Sequence, residues 1–123
     1  MIEPGARADD PWAGQFGGTA RSHERELKAD LLPEVDNPRV VIVRLTVQST
    51  DATRPLAGSV QFYLHPTFKN RTPVVTVDRQ GKAVLTLRTW GAFTVGALAD
   101  GGETKLELDL SKHPDAREPW RSS

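Results

Sequence analysis

Between residues 39 and 110 apolar and polar side chains alternate with a period of two, the spacing of strands that bury one face. In "RVVIVRLTVQS" (39–49), Val41, Val43, Leu45 and Val47 fall on one face, and Arg44, Thr46 and Gln48 on the other. "GSVQFYL" (58–64) sets Val60, Phe62 and Leu64 against Ser59, Gln61 and Tyr63. "PVVTVD" (73–78) and "KAVLTLR" (82–88) flank "RQG", where Gly81 can take a positive φ, and this spacing predicts a hairpin. "AFTVGALA" (92–99) and "ETKLELDL" (103–110) flank "DGG" and predict a second, with Leu106, Leu108 and Leu110 facing inward. "ERELKADLL" (24–32) fits two readings. Leu27, Ala29 and Leu31 alternate as in a strand, while Leu27 and Leu31 also keep helical i, i+4 spacing; "PEVDNP" (33–38) ends either element. Nothing from 39 to 110 has the helical period or the length of a crossover helix. The expected architecture is all-β, an immunoglobulin-like antiparallel β-sandwich of about seven to eight strands.

The two ends of the chain read differently. Residues 1–22, rich in Gly, Pro, Ala and charge, are expected to form a flexible lead-in with Trp12 and Phe16 as candidate anchors. Residues 23–112 form the sandwich, and 113–123 a polar, proline-broken tail in which Trp120 is the residue able to pin it. A chain of 123 residues suffices for one domain. Sixteen Lys and Arg balance 16 Asp and Glu, so net charge predicts neither a nucleic-acid nor a membrane partner. Its distribution is uneven. Residues 1–38 carry four basic and eight acidic side chains, whereas 39–98 carry eight basic residues against Asp51 and Asp78. Either the two parts attract each other, or the body presents a mildly basic face, or the charges are merely solvated. Cysteine is absent, which removes disulfides, thiol nucleophiles and thiolate metal sites. The N-terminal residues lack the apolar core of a secretory signal, and no apolar run approaches the ~20 residues of a membrane helix. The expected location is the cytoplasm.

Chemistry-bearing residues do not assemble into an enzymatic pattern. His23, His65 and His113 lack metal-ligand spacing, no phosphate-binding glycine loop is present, and Ser59 has no nucleophile elbow around it. A His65–Asp109 pairing has no support beyond composition. The expectation is a non-catalytic domain with no cofactor and no metal. Two aromatic loops are more informative. In "YLHPTF" (63–68) the inward phase ends at Leu64, so His65 starts a loop, Pro66 stops the ladder, and Thr67 and Phe68 lie past the sheet end. In "TWGAF" (89–93) Trp90 stands outside the core layer, and Gly91 permits positive φ or close approach of backbone to a guest. If these strand ends meet, Phe68 and Trp90 form the walls of a slot with His65 and Thr67 at its base. The alternative is that both rings plug the end of the sandwich.

"VQFYLHPTF" followed by "TWGAFTVGA" and "LELDL" resembles the YEATS domain, in particular its prokaryotic branch, in which an L-H-x-[ST]-F loop precedes a second aromatic-glycine loop. The resemblance covers about residues 39–112, and "FGG…A" around 16–29, ahead of the body, is similar to the prokaryotic form as well. It implies strand-end loops that bind an acylated lysine, as eukaryotic members do with acetyl- and crotonyl-lysine. It further implies that His65 and Thr67 shape the floor, Phe68 and Trp90 are stacking walls, and a backbone N–H near Trp90 or Gly91 binds the acyl carbonyl. Phe93 matches a motif position, while its inward phase assigns it to the core. Two positions depart from the pattern. "PEVDNPR" supplies no third aromatic, for which Trp12 or Phe16 is a candidate substitute, and Thr89 replaces a glycine. The implied partner is an acylated-lysine peptide or partner protein, with no nucleic acid and no membrane. The implied setting is a bacterial signalling or defence system with an effector protein encoded nearby. A second reading is a structural adaptor that mediates protein assembly and retains a vestigial slot.

Overall fold

The computed structural model describes residues 10–122. Eight strands form two antiparallel four-stranded sheets, the sandwich expected from the alternation. The strands are β1 (Arg21–Ser22), β2 (Arg25–Pro33), β3 (Val41–Ser49), β4 (Ser59–Tyr63), β5 (Val74–Thr76), β6 (Lys82–Thr89), β7 (Thr94–Ala99) and β8 (Thr104–Asp109). One sheet has the order β1-β2-β3-β6 and the other β5-β4-β7-β8. The only helical turns among the described residues are three short 3-10 turns. No helix there is long and apolar enough to cross a membrane.

The core is the inward phase read from sequence. Val41, Val43, Leu45 and Val47 of β3 meet Val60, Phe62 and Leu64, with Val95, Ala97, Ala99, Leu106 and Leu110 completing the layer. Large residues sit beside small ones, as where Phe62 pairs in register with Ala97. The ambiguous 24–32 segment is a strand, because β3 offers it a nine-residue ladder from Arg25↔Ser49 to Pro33↔Val41. A helix there would have left one full side of β3 unpaired.

One expected hairpin is not formed. The "RQG" turn is tight, with Gly81 at φ +76° and the Asp78 N–H donating to the Lys82 carbonyl. Beyond that rung the chains separate. β5 pairs with β4, and β6 pairs with β3 along its whole length from Lys82↔Gln48 to Thr89↔Val41. β5 has three residues, so a long ladder on β3 outweighs a short one within the turn. The second expected hairpin, β7–β8, is formed.

The lead-in also differs from the looseness expected of it, from Asp10 onward; residues 1–9 lie outside the described residues. Residues 10–20 lie on the outer face of the second sheet. Phe16 is fully buried against Gly96, and Trp12, Phe16 and Tyr63 pack their rings together at centroid distances of 4.8–5.9 Å. Gly14, Gly17 and Gly18 all have positive φ, which turns the amides of Gly14, Phe16 and Gly18 onto the Glu107 carboxylate at 2.9–3.2 Å. Both candidate anchors therefore hold this segment to the body.

Charge follows the same logic. Asp30, Glu24 and Glu34 from the acidic N-terminal third pair with Arg44, Arg54 and Arg88 of the basic body. Arg25 is buried, donates to both Asp100 oxygens at 3.0–3.3 Å, and also reaches the Arg54 and Pro55 carbonyls. It thereby ties β2 to the β7–β8 turn. Arg25 holds the Asp100 carboxyl below its ordinary value, as a hydrogen-bonded cation must.

Candidate functional site

At the end of the sandwich where β4 and β6 finish, the two aromatic loops enclose a groove of about 690 Å³. His65, Thr67, Phe68, Trp90 and Gly91 all line it, together with Lys69, Arg88, Thr89, Ala92 and Phe93. The five residues singled out from sequence are thus brought together.

The first loop is shaped by its histidine. The Thr67 N–H donates to His65 Nδ1 at 3.2 Å, which makes Nδ1 an acceptor, so the Thr67 hydroxyl, 2.9 Å away, donates to it too. The Phe68 N–H closes the turn onto the His65 carbonyl at 3.0 Å. Thr67 keeps its own lone pairs and is exposed. Phe68 is half-buried, its ring tilted against Phe93 with centroids 5.5 Å apart. Phe93 is 4% exposed, as its inward phase predicted, yet it supports both Phe68 and, edge-on at 6.1 Å, His65.

The second loop carries the other wall. Trp90 is 59% exposed, an unusual state for the largest apolar side chain. The Arg88 guanidinium stands 5.4 Å from its ring centroid, a cation–π distance. Arg88 is itself gripped by Glu34 through Nε at 2.6 Å and Nη2 at 3.2 Å, and this pairing holds the Glu34 carboxyl below its ordinary value. Phe68 and Trp90 make no ring contact with each other; Phe68 packs against the core, while Trp90 is mostly exposed. The amides of Trp90 and Gly91 donate to no acceptor among the described residues.

Sequence reading missed Arg88, although a signal existed: positions 88 and 90 share one face at the end of a strand. Trp12 and Phe16, the candidate third aromatics, are placed on the outer sheet face with Tyr63 and do not line the groove. The Asp109 carboxylate caps Ser111 through its N–H and hydroxyl. Among the described residues no group of three or more His, Cys, Asp or Glu is placed to hold a metal ion. No curated protein matches the chain. A match to the prokaryotic YEATS domain spans residues 41–111, more than half of the chain, and takes in both loops of the groove. With that match and the two-sheet fold beneath it, the chain belongs to the prokaryotic YEATS domain family.

Proposed function

We propose that the groove is a non-catalytic binding site for an acylated lysine, or a similar flat amide, carried on a peptide or partner protein. The observation that supports this reading is that Phe68 and Trp90 share one open groove without packing on each other. A flat acyl group enters between such rings and gains about 0.5–1.5 kcal/mol from offset stacking beyond its buried area. The unpaired amides of Trp90 and Gly91 donate to the acyl carbonyl, and the Thr67 hydroxyl, fixed by His65, accepts the ligand's amide N–H. Among the described residues no carboxylate lines the groove, while Lys69 and Arg88 do. An unmodified lysine would bring its charge beside Lys69, and the nearby Glu34 carboxylate is already paired with Arg88; acylation removes that charge. The volume exceeds what one acyl group fills, which leaves room for flanking peptide. The bacterial signalling or defence setting, cytoplasmic and beside an effector protein, belongs to the same proposal.

Calorimetry of the whole chain with acetyl-lysine, crotonyl-lysine and unmodified lysine peptides tests it. A side-chain-sized guest gives a Kd on the order of 0.1–1 mM. Trp90→Ala weakens binding about fivefold to tenfold through lost stacking. Equal binding of the unmodified peptide, or an unchanged affinity in Trp90→Ala, defeats the proposal and leaves the adaptor reading in its place.

A further inference from the structure

We infer that Asp10, Trp12 and Trp120, all outside the matched segment 41–111, are positioning residues that clamp both groove loops at their bases. The indole N–H of Trp12 donates to the Leu64 carbonyl at 2.8 Å, in a buried bond one residue before His65. The Asp10 carboxylate accepts the N–H of Thr94 at 2.8 Å and its hydroxyl at 2.7 Å, one residue after Phe93. At the other side of the second loop, the Trp120 indole N–H donates to the Thr89 hydroxyl at 2.9 Å, in a buried bond one residue before Trp90. The Trp120 carbonyl accepts the Ala92 N–H at 3.2 Å. Leu64, Thr89, Ala92 and Thr94, beside the two loops, are therefore each tied to a terminal segment, while Trp90 and Gly91 keep open amides.

The chemistry explains why these ties are stiff. A buried indole N–H must keep an acceptor, so neither tryptophan can turn without losing one. Thr89 is 3% exposed and Trp120 1%, and no water reaches that bond to replace it. The tail is anchored in turn where His113 Nδ1 accepts the Asp115 N–H at 3.0 Å, leaving Nε2–H to donate to the Ala29 carbonyl at 2.8 Å. Trp120 thus connects the first sheet to the groove through a fixed path. A chain cut to the matched segment would lose these restraints on the loops together with β1 and β2.

Thr89→Val, which removes the acceptor and keeps the shape, tests this, with Thr89→Ser as the conservative rescue and Asp10→Ala as a variant that spares the core. Amide hydrogen exchange reads the loop without any ligand. Ala92 should exchange about tenfold faster in Thr89→Val, and Thr94 about tenfold faster in Asp10→Ala, with Val43 and Leu45 unchanged and Thr89→Ser matching wild type. The affinity arm rests on the proposed function: acyl-lysine peptide binding should weaken about fivefold in both variants. Uniform acceleration of loop and core amides would assign these residues to general stability and overturn the inference, as would unchanged exchange at Ala92 and Thr94. Selective acceleration with no peptide bound by wild type would uphold the clamp and defeat the ligand reading.

Discussion

Gly96→Ala addresses whether the N-terminal lead-in is part of the fold. A methyl group at Gly96 would stand 2.4 Å from Cδ1 and Cε1 of Phe16 and 2.7 Å from Cζ, far inside van der Waals separation. The strand cannot retreat, because Gly96 is paired with Tyr63 on one side and Glu107 on the other. The ring must leave. Phe16 is fully buried but packs on the outer face of a sheet, so its loss falls just below the ~3–5 kcal/mol of a core phenylalanine truncation, at about 2–3 kcal/mol. At this chain size that lowers Tm by about 8–12 °C, at roughly 4 °C per kcal/mol. Urea and thermal unfolding of wild type, Gly96→Ala, Phe16→Ala and the double variant form a double-mutant cycle. In the Phe16→Ala background alanine has space and an ordinary strand backbone, so it should cost no more than about 0.5 kcal/mol. A coupling of about 2 kcal/mol is therefore expected. If Gly96→Ala cost the same with and without Phe16, the packing of the lead-in on the sheet would be refuted.

Further outcomes follow from other contacts. Asp100 has a folded-state pKa depressed by Arg25, so its contribution is complete above the unfolded value of 3.8 and is lost as pH falls through the lower folded value. Asp100→Asn, tolerated at the residue's φ of +54°, should flatten the decline of stability below about pH 4 by up to ~1.4 kcal/mol per pH unit, measured by urea unfolding; parallel wild-type and variant curves would contradict this. Glu107→Ala removes the acceptor for three lead-in amides and should speed proteolysis between residues 10 and 20 about tenfold, with the sandwich left intact; an unchanged cleavage rate would count against the carboxylate's role. Trp90→Ala should leave unfolding stability within about 0.5 kcal/mol, since the ring is mostly solvated, and a larger loss would mark it as a structural plug.

The sandwich was legible in the sequence where alternation ran long enough. β3 shows this best, with four inward residues and Arg44, Thr46 and Gln48 on the opposite face. The 24–32 segment was not settled by its own pattern, because partner strands decide between helix and strand, and the partner is remote in sequence. The "RQG" hairpin failed for a related reason: a turn fixes its first rung, while longer ladders elsewhere choose the sheet. The groove was legible because the first loop begins where an inward phase ends, at Leu64, and the second where a strand ends, at Arg88, which places the next aromatics outside the core. Its supports were legible only as candidate anchors, without their partners. Trp120 meets Thr89 across 31 residues and Trp12 meets Leu64 across 52, and no local pattern encodes such contacts. Nothing local singles out Gly96 within "AFTVGALA" either; only the ring above it explains why a side chain is missing there.

The central claim is that the two loops hold a flat acyl group between Phe68 and Trp90. Amide NMR spectra of the whole chain, titrated with a crotonyl-lysine peptide, test it most directly. Saturable shifts concentrated at Thr67, Trp90 and Gly91, absent with the unmodified peptide and lost in Trp90→Ala, are the expected result. Shifts confined to other surfaces, or none at millimolar peptide, would contradict the claim.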